Sequence, residues 1–265
     1  MSWQGFIDAY DVKARLIPTV IILLPVVWTA YYIWPALLSN PFVLAGSGTT
    51  LLSSAYLATM CVRVLGVRFG LHFWRRDGGV PSTRLARMRD PFLQHEQKTR
   101  IQRAVFLRFG IRLLPLQEEL SNPDEADRRI SAAFREVKEC LRQSSQSSLL
   151  EKHNAEYAFA RNLCGSRSVF IFFAAAGLIL CGFNPGRIPM SANTFYELPH
   201  AWIFNVGCCL NLAFLLFGII FGWLLLPGML RLHAECYARR AWLTFLTLST
   251  EVASENKSKS RTSAA

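Results

Sequence analysis

From Leu16 to Leu38 the chain reads LIPTVIILLPVVWTAYYIWPALL, a run without one charged side chain. About 20 apolar residues rising 1.5 Å each cross the hydrocarbon core of a bilayer, so this run predicts a transmembrane helix and excludes most soluble folds. It is too long for a signal-peptide core, and no small-residue cleavage site follows it. Trp28, Tyr31, Tyr32 and Trp34 crowd its end as an interfacial aromatic belt. Pro18 and Pro25 lie on one face of it, and each should free a carbonyl that a neighbour must satisfy.

The rest of the composition agrees. Of 265 residues, 52% are hydrophobic and 18% charged, against roughly 25% charged in an average globular chain. A secreted disulfide scaffold, a disordered chain and a soluble DNA-binding domain are all excluded. The seven cysteines (61, 140, 164, 181, 208, 209 and 236) form no CxxC pair, which argues against a disulfide or zinc framework.

Three further apolar blocks predict three more spans. The expected architecture is all-α: a polytopic membrane protein with four transmembrane helices and a helical cytoplasmic domain inserted between helices 2 and 3. Residues 1–67 hold the N-terminal segment and a hairpin with spans at about 16–38 and 45–66; 68–167 form the basic helical domain. Residues 168–227 form a second hairpin with spans at about 168–183 and 201–226, closed by Pro227 and Gly228; 228–265 are a cytoplasmic juxtamembrane helix and a disordered tail. Lys and Arg decide the orientation. The loop 39–48 has none and the loop 184–199 only Arg187, so both face outward and both termini lie in the cytoplasm. The expected location is a bacterial inner membrane.

Within 68–167 three helices are predicted. In the first, over 90–114 and ended by Pro115, Ile101, Val105, Phe109 and Leu113 recur on one face. The second is capped by Asn122 with Pro123 in its first turn, and its pairs Asp124–Arg128 and Glu125–Arg129 spend part of its charge on itself. The third, SLLEKHNAEYAFARNLCGSR, opens on Ser148 and Glu151, and Gly165 breaks or bends it before the third span.

The net charge of +11 fits two readings: cytoplasmic loops drawn to anionic lipid, or a site for a polyanion. Candidate ligand-binding residues are Arg84, Arg87, Arg89, Lys98, Arg100 and Arg103. Asn154, Glu156, Tyr157, Arg161 and Asn162, polar within an otherwise apolar helix, are candidates for a gate or wet vestibule, or else a solvated surface. In the fourth span Gly207, Asn211, Gly218 and Gly222 fall on one helix face; the alternatives are tight helix packing and a pore lining carrying Asn211.

Catalytic motifs are not legible. GSGTT at 46–50 lacks the Lys of a phosphate loop and reads as a turn and helix cap. His153 with Glu156 and His233 with Glu235 are the close His–carboxylate pairs, and both read as structural. No Asp, Glu, Lys or His sits in the middle of a span, which disfavours ion-coupled transport and intramembrane aspartyl proteolysis. No metal, cofactor or enzymatic activity is expected.

RIQRAVFLRFGIRLLP, DEADRRISAAFREVK and LLEKHNAEYAFARNLCGSR together resemble a group of bacterial four-span membrane proteins found among phage-defence genes, over residues 100–182. Hailong-type systems, in which a membrane channel is paired with a nucleotidyltransferase, are the first comparison this resemblance suggests. The group's Tyr-Gly-Phe-Arg-Arg-Asn stretch is Tyr157, Ala158, Phe159, Ala160, Arg161, Asn162 here. The resemblance implies a homo-oligomeric channel in antiphage defence, gated by a nucleotide or oligonucleotide that a partner nucleotidyltransferase makes. A membrane-anchored adaptor and a lipid-modifying membrane enzyme are the alternatives.

Overall fold

The computed structural model describes residues 9–34, 41–144, 147–183 and 206–262. Among these every regular element is helical. Four segments are long and apolar enough to cross a membrane: Val12–Ile33, Ser53–Arg76, Leu150–Gly182 and Val206–Thr250.

A π-helical turn, Val12–Leu16, leads into α1, Ile17–Ile33. Pro18 lies in the first turn of α1, directly after the π turn, and Pro25 lies within the helix. The expected end of this span at 35–38 lies outside the described residues. Helix α2, Pro41–Arg76, starts inside the stretch expected to be an outer loop, and GSGTT is helical rather than a turn. Small residues continue a helix readily where lipid or neighbouring helices replace water. The loop 184–199 and residues 201–205 of the fourth span lie outside the described residues.

Pro81–Arg84 is a short turn of helix, followed by α3, His95–Phe109. Gly110 in the left-handed conformation, φ 69°, ends α3. The stop therefore falls five residues before Pro115, since a residue at C′ with positive φ closes a helix more effectively than a later proline. After a short α4, Leu116–Ser121, comes α5, Pro123–Arg142, with Asn122 Oδ1 accepting from Glu125 N at 3.2 Å as its cap spacing predicts. Glu125 takes both arginines, Arg128 at i+3 and Arg129 at i+4, in place of the expected Asp124–Arg128 pair.

Helix α6, Ser147–Gly182, runs unbroken through Gly165 and so joins the third predicted cytoplasmic helix to the third span. Helix α7, Val206–Ile220, passes through a second π turn, Phe221–Leu225, into α8, Leu226–Thr262. Pro227 and Gly228 do not close the span. Pro227 follows directly on the π turn, and the helix continues through it to Thr262. The stretch expected to be a disordered tail is helical to Thr262.

The chain divides into two compact units: residues 1–70 with 158–230, and residues 71–157 with 231–265. The second differs from the expected contiguous 68–167 because it takes in the C-terminal helix. Ala238, Ala241, Trp242 and Phe245 of α8 are buried in one core with Ile101, Val105, Ile130, Phe134, Val137 and Leu141. Trp242 Nε1 donates to Ser82 O at 2.9 Å, so the buried indole leaves no orphaned donor. In the first unit α2 and α6 meet at two glycines. A Cβ on Gly165 would lie 2.5 Å from Leu65 O and 2.6 Å from Gly66 Cα, so only glycine permits this approach.

Candidate functional site

In the second unit, the segment from Gly78 to Asp90 carries three of the predicted ligand cations, and all three are turned to structural use. Arg87, 8% exposed, forms a two-pronged ion pair with Asp127 (Nε–Oδ1 2.7 Å, Nη2–Oδ2 2.5 Å), while its Nη1 donates to Gly78 O at 2.7 Å. Arg84 is held by Glu235 of α8, by Asp77 at 3.5 Å and by Asp90 at 3.6 Å. Arg231 shares Asp77 at 2.7 Å. Arg89 lies 3.6 Å from Glu119.

Lys98 of α3, 2% exposed, closes the same segment from within. Its Nζ donates to Arg87 O at 2.6 Å and to Asp90 O. On the other side the buried Glu119 of α4 accepts Met88 N at 2.7 Å and Arg89 N at 3.4 Å. One ammonium thus takes the carbonyls and one carboxylate takes the amides of a turn that has no regular hydrogen-bond ladder of its own. Burial pushes the Lys98 ammonium below the ordinary lysine range, with Asp90 and Glu119 pulling it back up. Among the six candidates Arg89, Arg100 and Arg103 are exposed, and Arg100 is ion-paired with Glu96 at 2.9 Å. Four of the six form a clamp whose charges are already compensated, and two lie on the open back of α3.

The vestibule candidates are also dispersed among local partners. In the second unit Glu156 lies 3.3 Å from His153 Nδ1 and 3.8 Å from His233 Nδ1, so His233 faces Glu156 while Glu235, its expected partner, goes to Arg84. Tyr157 accepts from Trp74 Nε1 at 3.2 Å and stacks on Tyr237 at 6.3 Å. Asn154 lines a cavity of about 60 Å³ with Lys138, Arg142 and Glu151. In the first unit, Asn162 is buried and donates to Ala14 O at 2.7 Å. That bond answers the difficulty Pro18 creates, because proline has no N–H to give the preceding turn. Arg161 donates to Asn162 Oδ1 at 3.5 Å.

The small-residue face of α7 is turned inward within the chain. A Cβ on Gly207 would lie 2.7 Å from the Tyr32 ring, and one on Gly218 2.7 Å from the Phe170 ring; Gly222 would meet Arg167 at 3.4 Å. Between them Asn211, fully buried, donates to Thr29 Oγ1 at 3.1 Å and to Gly207 O at 3.0 Å. This is helix packing, with Asn211 as a polar tie between spans.

Chemically, these arrangements bind and brace. Among the described residues no three His, Cys, Asp or Glu side chains converge on one metal position. The residues that sequence reasoning passed over are Asp77, Glu119 and Asp127, each the partner of a predicted cation, and Arg167 in the first unit; Glu235 was read with His233 rather than with Arg84. The count of Lys and Arg drew attention to one half of each pair. No family model matches the chain, and no curated protein or solved structure matches it either. The class is therefore defined by the fold alone: an all-helical protein with four helices long and apolar enough to span a membrane.

Proposed function

We propose that the protein is a homo-oligomeric channel or pore-type effector of a bacterial inner membrane, in which α2 faces other copies of the chain. One observation carries this reading. Of the four spans, Ser53–Arg76 is the least apolar, yet only 17% of its apolar window is buried, against 39% for the first span. A helix surrounded by lipid should be the most apolar of a set, since lipid offers nothing to a polar side chain. Ser53, Ser54, Cys61, Arg63 and Arg68 are all exposed on α2. A second copy of the chain, or a water-filled path between copies, gives these groups partners that lipid does not. The internal ties of the first unit, such as Asn211 with Thr29, leave conduction to the contact between subunits.

Both termini and the second unit lie on the cytoplasmic side in this reading, as the Lys and Arg asymmetry favours. The anionic nucleotide or oligonucleotide that gates the assembly meets Arg100 and Arg103, the two exposed candidates on α3. The place in antiphage defence rests on the resemblance over residues 100–182.

Oxidation of native membranes with copper phenanthroline tests the assembly. Disulfide-linked dimers through Cys61, exposed on α2, are expected, and Cys61→Ser should remove them while Cys209→Ser leaves them unchanged. Dimers that persist in Cys61→Ser and vanish in Cys209→Ser would overturn the assignment of α2 as the contact. The ligand is tested by titrating a labelled oligonucleotide in detergent at fixed salt. Arg100→Gln with Arg103→Gln should lower affinity by tenfold or more, whereas saturable binding unchanged in the double variant would remove α3 as the site.

A further inference from the structure

Arg167, on α6 in the first unit, is a guanidinium among apolar side chains, and among the described residues no carboxylate forms an ion pair with it. Its Nη1 donates to Gly222 O at 3.1 Å. Gly222 belongs to the π turn Phe221–Leu225, and in that wider register the donor to its carbonyl would come from residue 227, which is a proline. Arg167 supplies the missing donor. Its charge is further held against the Trp223 ring at 4.3 Å and the Phe69 ring at 5.0 Å from their centroids. These contacts occupy one of its five donors and two ring faces, and among the described residues no carboxylate compensates the positive charge.

Beside it lies a cavity of about 190 Å³ walled by Ile21, Leu163, Phe170, Phe217 and Phe221, with Arg167 as the one charged residue of the lining. Phe217 is 53% exposed, so the wall reaches the surface of the unit. An arginine that merely snorkelled would carry its charge out to water along a flexible stem. This one is tied at Gly222 and framed by two rings, at the edge of a space that suits hydrocarbon.

We infer that this cavity is a lipid site: an acyl chain of an anionic phospholipid fills the apolar space, and the phosphate of its headgroup bonds the free donors of Arg167. Charge complementarity identifies the occupant. A neutral chain would fill the cavity but leave the guanidinium without a counter-charge, and a free phosphate would leave the apolar walls uncovered. The site does not depend on conduction or on α2, so it stands or falls separately from the channel reading.

The test uses the full chain in phosphatidylcholine nanodiscs containing a minor fraction of phosphatidylglycerol with a diazirine in one acyl chain. After irradiation, label is expected on peptides from 159–170 and 217–226. Unlabelled phosphatidylglycerol should compete, and added phosphatidylcholine or inorganic phosphate should not. Arg167→Gln should cut this labelling about tenfold, as loss of a charge-assisted hydrogen bond implies, and Arg167→Lys should retain part of it. Ile21→Trp, which fills the cavity and leaves Arg167 in place, should cut it as well and covers the case in which Arg167→Gln does not fold. Absence of label at these peptides, equal competition by phosphatidylcholine, competition by inorganic phosphate, or labelling unchanged in Ile21→Trp would each overturn the assignment.

Discussion

Gly165→Leu should prevent the first unit from forming. At this position α2 and α6 approach until a Cβ would lie 2.5 Å from a backbone oxygen and 2.6 Å from a backbone carbon and nitrogen of Leu65 and Gly66. A clash with a flexible side chain can be relieved by a rotamer change, but a clash with backbone requires the helices to separate. Overpacking of a well-packed core costs about 1–3 kcal/mol, and separating two backbones in contact belongs at or above the top of that range. Total stabilities are only about 5–15 kcal/mol, so a large drop in folded yield and in the detergent melting temperature is expected. Gly182→Leu, where a Cβ would meet nothing within 4 Å, should behave as wild type. Equal melting temperatures for the two variants would refute the close crossing.

Lys98→Met should unlock the turn at Arg87–Asp90. Methionine has nearly the length of lysine and no donor, so the Asp90 carbonyl would lose its ammonium donor, the Arg87 carbonyl would keep only the Asp90 amide at 3.3 Å, and Glu119 would lose a buried cation that interacts with it. Each orphaned buried group costs about 1–3 kcal/mol, and breaking a buried charge arrangement about 3–5 kcal/mol. Hydrogen exchange should show residues 84–93 losing protection first, because the amides of Met88 and Arg89 are held by Glu119 on the same turn. Arg100→Met, which removes an exposed i,i+4 pair, should change stability by no more than about 0.5 kcal/mol. If Lys98→Met exchanges like Arg100→Met, the clamp is not structural.

Those two sites show how far the sequence could be read. The spans were legible because hydropathy needs no partner to be recognised, and the cap at Asn122 because its signal lies within four residues. Lys98 was legible as a charge but not as a staple, because Glu119 and Asp127 reach the same segment from α4 and α5. Nothing local marks which carboxylate a folded chain will bring to which cation. Gly165 was read as a breaker because glycine ends helices in water, whereas here its missing side chain lets a second helix in. Pro227 misled in the same way: the π turn before it and Arg167 across from it remove the cost that would otherwise end a helix. The C-terminal helix joined the second core through Trp242 and Phe245, three residues apart, a spacing too brief to outweigh the polar run that follows.

The central claim is that ions pass along the exposed face of α2 between copies of the chain, and thiol modification during bilayer recording tests it most directly. The exposed cysteines Cys61, Cys209 and Cys236 are replaced by serine, and one new cysteine is placed at Ser54 on α2 or at Ile219 on α7, both exposed in the single chain. Purified protein in a planar bilayer should give stepwise currents. A water-soluble cationic methanethiosulfonate should reduce them in Ser54→Cys and leave them unaltered in Ile219→Cys, because only the first residue would border water. Absence of any current, or equal modification at the two positions, would contradict a conducting path along α2.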